Sequence, residues 1–162
     1  MDTFLGIIGL IVLIFVVYQI TRAKQALGKK ANQKVFLRGA HQKGQQLVTQ
    51  DLHFTSHASV DQVRNAVLSA VKVAPGVPAV IADAYLISAS DTFIIYGCGT
   101  KLRESFRGVL QLRATSAGTA GTWEIANWTL ADGIVAGQSV MKRLIADINT
   151  GLGSVDPNAR LQ

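Results

Sequence analysis

An almost unbroken apolar run near the N-terminus constrains the fold of this chain more than any other feature. Every residue from Phe4 to Tyr18 is apolar or glycine, and Ile20 extends the run to 17 positions that only Gln19 interrupts. At about 1.5 Å per helical residue, such a run covers roughly 25 to 28 Å, close to the bilayer core of about 30 Å. The sequence therefore predicts a transmembrane helix over residues 3–20.

A cleaved signal peptide is the alternative interpretation of the run, and it needs a basic segment before the run and a small-residue cleavage site after it. The only charge before the run is Asp2, and Arg22 and Lys24 follow where small residues would be needed. We therefore interpret the run as an uncleaved anchor in the cell membrane. Because basic residues beside a membrane segment stay in the cytoplasm, the predicted topology has the N-terminus outside and the C-terminal domain inside. The lone Cys98 agrees with a reducing compartment.

The positive charge is concentrated just after the predicted helix. Residues 21–50 hold seven basic and no acidic residues, whereas residues 51–162 hold nine of each, so the domain is neutral and nucleic-acid binding is not indicated. We predict a basic stalk over residues 21–45, which either contacts anionic lipids or serves only to set topology. On the first interpretation the stalk, rather than the domain, carries the affinity for anionic membranes. The residues expected at the membrane surface are Arg22, Lys24, Lys29, Lys30 and Lys34.

The pattern beyond the stalk predicts a strand followed by a helix. Residues alternate with period two from Val48 to Thr55, which is typical of a half-buried strand. Ser59 and Gln62 have the spacing of a capping box, and apolar residues at helical spacing follow. Pro75 is expected to stop this helix.

Two hairpins are predicted next. The β-rich segments Ala84–Ala89 and Thr92–Cys98 form the first, and Phe106–Ala114, a turn over Thr115–Gly121 and Thr122–Leu130 form the second.

A final amphipathic helix completes the predicted domain. Asp132 is expected to cap it, Ile134 to begin its apolar stripe and Gly151–Gly153 to end it. The element order β-α-β-β-β-β-α predicts an α+β fold in which helices pack on an antiparallel sheet. We assign this domain to residues 46–153 and a tail to residues 154–162.

The order of these elements also suggests a known fold. A strand, a turn and a strand carrying W-x-I-x-x-W from Trp123 to Trp128 lead into a long amphipathic C-terminal helix. This arrangement resembles the helix-grip fold of the START and polyketide-cyclase-like superfamily, and the resemblance covers residues 46–152. It implies a cavity for an apolar ligand between the sheet and the last helix.

Motifs that would indicate an enzyme, a metal or a cofactor are weak. His53 and His57 are four residues apart, but they straddle a strand end, where that spacing does not bring two ligands together. The segment Gly97–Gly99 lacks the third glycine and the following helix of a phosphate-binding loop. Cys98 has basic neighbours that could lower its thiol pKa but no identifiable base, so we interpret it as inert. We predict no catalytic residues, cofactors or metals.

Trp123 and Trp128 are the candidates for contact with a partner or ligand. On a regular strand they face opposite sides of the sheet, so one of them is left outside the core unless the last helix or a loop covers it. The first functional hypothesis is a non-enzymatic, membrane-anchored interaction module, an accessory subunit or scaffold that binds another membrane protein. The alternative is a membrane-tethered carrier of a lipid or other apolar ligand, of the helix-grip type.

Overall fold

We examined the protein in a computed structural model, which describes residues 44–74, 76–131 and 134–162. The predicted transmembrane helix and residues 21–43 of the predicted stalk lie outside these described residues. Within them, no helix has the length and hydropathy needed to cross a bilayer. His41–Gln162 form one compact unit.

An antiparallel sheet, two helices and a helical segment over residues 44–49 are the main elements of the described part of this unit, which confirms the predicted α+β class. The sheet has five strands in the spatial order β1-β5-β4-β3-β2. In chain order its strands are β1 (Leu52–Ser56), β2 (Asp83–Ala89), β3 (Phe93–Gly99), β4 (Glu104–Thr115) and β5 (Gly118–Trp128). The helices are α1 (Val60–Ala70) and α2 (Gln138–Val155), and a small ribbon of β6 (Leu130–Ala131) and β7 (Ile134–Val135) precedes α2.

The first strand is shorter than its sequence pattern predicts. Residues 44–49 are helical, so the prediction of a strand from Val48 is wrong there, and β1 starts at Leu52. The Thr49 hydroxyl donates to the carbonyl oxygen of Gln45 at 2.8 Å. Val48 is nevertheless buried in the core, so its apolar character is used in a helical turn rather than in a strand.

Helix α1 begins at the predicted capping box. The Ser59 backbone N–H donates to Oε1 of Gln62 at 3.0 Å, and the Ser59 hydroxyl accepts from the Gln62 backbone N–H at 3.4 Å. The helix ends at Ala70, whereas the sequence predicts an end near Pro75. It stops early because the chain turns to join the sheet edge, where the Ala74 N–H donates to the carbonyl of Ala84 at 2.9 Å.

The first predicted hairpin is confirmed as β2 and β3, but the turn of the second is misplaced. β4 and β5 continue through most of the predicted Thr115–Gly121 turn, and only Ser116 and Ala117 connect them. The reason is pairing on both sides: residues 119–123 of β5 pair with β1 as well as with β4. These two ladders override the weak strand preference of the Gly and Ala residues in this segment.

Both predicted ends of the last helix are wrong. Ile134 lies in β7, and α2 starts at Gln138 after Gly137, whose left-handed φ of 76° turns the chain into the helix. At the other end α2 continues through Gly151 and Gly153 to Val155. A side chain at Gly151 would approach the Cα of Val67 to 2.8 Å, so this glycine allows α2 to pack closely on α1.

The core lies between one face of the sheet and the two helices. Aromatic rings lie across glycines of neighbouring strands: Trp123 covers Gly108, and Phe54 covers Gly121, each within 2.2 Å of where a Cβ would stand. The largest fully buried side chains are Trp123, Tyr96, Phe106, Ile94, Leu110, Met141, Leu144, Ile148 and Leu152.

The predicted tail packs on the domain. Ala159 and Leu161 are buried in the core. The backbone of Gln162 pairs with that of His53 at the outer edge of β1, through N–H to carbonyl distances of 2.9 and 3.1 Å. The Leu161 N–H donates to Oδ1 of Asn149 at 2.8 Å. The C-terminal residues are therefore part of the folded unit.

Candidate functional site

The candidate site is the sheet face that no described helix covers. Within the described residues, the buried side chains of α1 and α2 pack on the opposite face. The uncovered face holds an open concavity of about 850 Å³. Its apolar floor consists of the half-buried side chains of Phe93, Ile95 and Val109. We refer to this surface as the concave face.

Strand register explains why these three side chains meet. Ile95 of β3 lies directly opposite Val109 of β4, and Phe93 lies opposite Gln111. Directly opposed residues in antiparallel strands project from the same face, so the three apolar groups form one continuous patch. The segment FIIY in β3 is apolar at successive positions, a pattern that indicates contacts on both faces of a strand. That was the available sequence signal for this site, and our sequence analysis missed it.

Polar groups surround the patch. Nε2 of Gln111 donates to Oε1 of Glu124 at 3.1 Å, and Nδ1 of His53 lies 3.0 Å from the Thr122 hydroxyl. Arg113 also lines the concavity, is exposed, and forms no ion pair with any residue that the structure describes. The concave face therefore offers apolar contact beside two charged groups that form no ion pair with a described residue, the Arg113 guanidinium and the Glu124 carboxylate.

Side chains between the sheet and α2 are fully buried in the described part of the chain. Trp123, Leu110, Leu144 and Ile148 are each at most 1% exposed. This is the position at which the helix-grip resemblance implies a ligand cavity. The 850 Å³ concavity lies on the other side of the sheet.

The two predicted tryptophans have different environments. Trp123 is 1% exposed and packs 6.4 Å from the ring centre of Tyr96, whereas Trp128 is 41% exposed. The expectation that they face opposite sides fails because the strand is not regular. A bulge leaves Ala126 unpaired, so Trp128 comes opposite Phe106 on the helix-covered side of the sheet.

Cys98 has the properties of a core residue. Burial raises its thiol pKa to about 11, and the nearby carboxylate of Asp83 adds to this effect. The raised pKa agrees with the interpretation of Cys98 as an inert thiol, and its basic neighbours in sequence do not lower the pKa. The thiolate is the nucleophilic form, so a thiol held protonated is unreactive near neutral pH.

Two carboxylates, those of Asp83 and Asp156, accept hydrogen bonds from backbone N–H groups of the fold. The Asp83 pKa is lowered by a hydrogen bond from the Ala84 backbone N–H and by its ion pair with Arg143. The His57 backbone N–H donates to the Asp156 carboxylate at 2.8 Å, so this hydrogen bond joins the segment before α1 to the residue that follows α2. Within residues 44–74, 76–131 and 134–162, no three His, Cys, Asp or Glu side chains form a group that could hold a metal.

The predicted membrane-surface residues, from Arg22 to Lys34, lie outside the described residues. Comparison of the chain with known protein families, with curated proteins and with solved structures found no match. The surfaces of the domain and the sequence that precedes it are therefore the features that indicate a function.

Proposed function

We propose that this protein is a non-enzymatic, membrane-anchored interaction module. In this proposal the apolar run over residues 3–20 holds the domain at the cytoplasmic side of the membrane. The domain then binds a segment of another membrane protein, as an accessory subunit or scaffold does.

The concave face is the observation that carries this proposal. A sheet with one helix-covered face normally exposes polar residues on its other face. Here Phe93, Ile95 and Val109 interrupt that polar surface, and they lie in the concavity rather than on a convex edge. Apolar contact area with a polar rim is the composition expected of a protein-binding surface.

The chemistry of the face also suggests the kind of segment that binds. The concavity is open and about 850 Å³ in volume, which suits a helix or an extended segment better than a small molecule that must be enclosed. Arg113 lacks an ion-pair partner among the described residues, so it favours a segment that carries a carboxylate beside its apolar residues. We expect an amphipathic segment of a membrane protein with a carboxylate placed to reach Arg113.

Co-purification from native membranes in mild detergent tests this function. Full-length protein is compared with Arg113→Glu, which reverses the charge at position 113 of the concave face. Lys72→Glu is the matched control, since Lys72 is also an exposed basic residue but does not line the concavity. We expect the partner to be retained by the wild type and by Lys72→Glu and to be lost from Arg113→Glu.

Two results would contradict the proposal in different ways. A monodisperse protein that carries no bound protein in several mild detergents would refute the interaction function. A partner retained equally by both variants would leave the function intact and refute the concave face as its site.

A carrier of an apolar ligand is the second candidate, favoured by the volume of the concavity. About 850 Å³ lies within the range of small-molecule sites, roughly 300 to 1,000 Å³. In this version the domain holds a lipid or similar molecule against Phe93 and Val109, on the face opposite to the one that the helix-grip resemblance implies. Native mass spectrometry of the full-length protein discriminates the two candidates: a bound small molecule that is lost from Val109→Asp supports the carrier, and its absence from all preparations excludes it.

A further inference from the structure

One end of the sheet gathers most of the exposed large apolar side chains of the domain. β2 and β4 begin at this end and β3 and β5 finish there, so the connections over 76–82, 100–103 and 129–131 are neighbours. Val80, Ile81 and Leu102 are between 81% and 93% exposed, and Leu130 is 50% exposed. We call the following five residues the apolar tip: Val80, Ile81, Leu102, Trp128 and Leu130.

Hydrogen bonds join these connections into one surface. The Lys101 N–H donates to the carbonyl of Pro78 at 2.9 Å, which links the loop before β2 to the loop before β4. The Arg103 guanidinium donates to the carbonyl of Leu130 at 3.0 Å, which links that second loop to β6. The apolar side chains are thus presented together by a bonded framework rather than by separate loops.

The charges at this end are unbalanced toward positive. Lys101 and Arg103 are exposed, and neither forms an ion pair with a described residue. The described acids at this end, Asp83 and Glu104, are each already paired with an arginine. A partner for this surface must therefore accept apolar side chains and supply negative charge.

The chain also enters the domain at this end. A Cβ at Gly44 would lie 3.4 Å from the Cβ of Val135, and Val135 pairs with Leu130 of the apolar tip. The 43 residues that precede Gly44 hold the apolar run and most of the basic stalk. The segment predicted to enter the membrane is therefore attached on the side of the domain where the apolar tip lies.

We infer that the apolar tip inserts into the boundary between headgroups and acyl chains of an anionic bilayer, with Lys101 and Arg103 beside the headgroup phosphates. Apolar and aromatic residues next to basic ones are the composition that binds membrane interfaces. The inference rests on the membrane anchor in the proposed function, but it needs no protein partner. It departs from the expectation that the stalk alone carries the affinity for anionic membranes.

The test places an environment-sensitive fluorophore at the tip of the full-length protein. Leu102→Cys is labelled with a thiol-reactive dye under native conditions, where the only native thiol, Cys98, is buried. Ser116→Cys is the matched control, because Ser116 is exposed in the turn between β4 and β5, at the other end of the sheet. Both proteins are reconstituted in equimolar phosphatidylcholine and phosphatidylserine vesicles whose acyl chains are brominated.

We expect vesicle flotation of both proteins and several-fold stronger quenching at position 102 than at position 116. Because the contact is apolar, most of this quenching should persist at about 1 M salt, where the screening length is about 3 Å. If the protein floats but quenching is equal at the two positions, or absent at both, insertion of the apolar tip is refuted and the membrane anchor is not. Failure of the protein to float would overturn the anchor and this inference together.

Discussion

Replacing Gly151 by alanine should loosen the contact between the two helices, whereas the same replacement two residues later should stabilise the protein. At Gly151 an added Cβ would lie 2.8 Å from the Cα of Val67 and 2.9 Å from the carbonyl oxygen of Ala66. At Gly153 it would meet no atom within 4 Å. Both residues lie within α2, so the two variants make the same chemical change on the same helix.

The magnitudes follow from two opposing effects. Alanine favours a helix over glycine by about 0.5 to 1 kcal/mol, and this gain applies to both variants. Carbon atoms pack at about 3.5 to 4.0 Å, so at Gly151 the helices must separate by about 0.7 Å or more, against rigid backbone atoms. Overpacking of this kind costs about 1 to 3 kcal/mol. We expect Gly151→Ala to lower the free energy of unfolding by up to about 2.5 kcal/mol and Gly153→Ala to raise it by about 0.5 to 1 kcal/mol.

Urea unfolding of the purified full-length protein, followed by tryptophan fluorescence, measures both variants, because Trp123 is buried in the core. Thermal unfolding should separate their midpoints by roughly 4 °C for each kcal/mol. The close packing of α2 on α1 would be refuted if Gly151→Ala were as stable as Gly153→Ala.

Four further outcomes are expected. Tyr96→Phe should raise the free energy of unfolding by about 1 kcal/mol, measured in urea, because the buried Tyr96 hydroxyl has no hydrogen-bond partner among the described residues. Hydrogen bonds from the backbone N–H groups of His57 and Asn158 lower the Asp156 pKa, so the ionised carboxylate stabilises the folded state. This stabilisation is complete above the ordinary pKa of 3.8 and is lost as the pH falls through the lowered pKa. The free energy of unfolding, measured as a function of pH, should therefore fall less steeply in acid for Asp156→Asn than for the wild type. Cys98 should react with an alkylating reagent only on unfolding, so labelling at neutral pH that is as fast in native as in denatured protein would contradict its burial. A reporter joined by a flexible linker after Gln162 should be active only in its cytoplasmic form, and activity on the outer side would reverse the predicted topology.

Sequence reasoning succeeded where short-range interactions decide the structure. The Ser59–Gln62 capping box and the hairpin of β2 and β3 each depend on residues close together in the chain, and both are present. The Thr115–Gly121 segment was misread as a turn because its strand structure depends on pairing with β1, far away in sequence. Likewise, no capping side chain in the sequence indicates that α2 starts at Gln138. The N-cap residue is Gly137, which has a left-handed backbone and makes no side-chain hydrogen bond.

The candidate site was harder to predict than the fold. The concave face exists only once the register brings Ile95 opposite Val109, and register is a property of pairs of strands. The unpaired Ala126 is a second example, because one extra residue moved Trp128 to the other side of the sheet. The loops of the apolar tip follow from the predicted strands, but the hydrogen bond that brings Lys101 beside Pro78 is not predictable from the sequence.

The pairing of β1 with β5 has a consequence for the rate of folding. β2 pairs with β3, β3 with β4 and β4 with β5, so these four strands can assemble through short loop closures. β1 must close a loop of about 70 residues, since Leu52 pairs with Trp123. Such non-local contacts slow folding, and until they form, β5 presents an unpaired edge to which other chains can add. We therefore expect β1 to join the sheet last. Refolding at high protein concentration should then favour aggregation through the unpaired edge of β5.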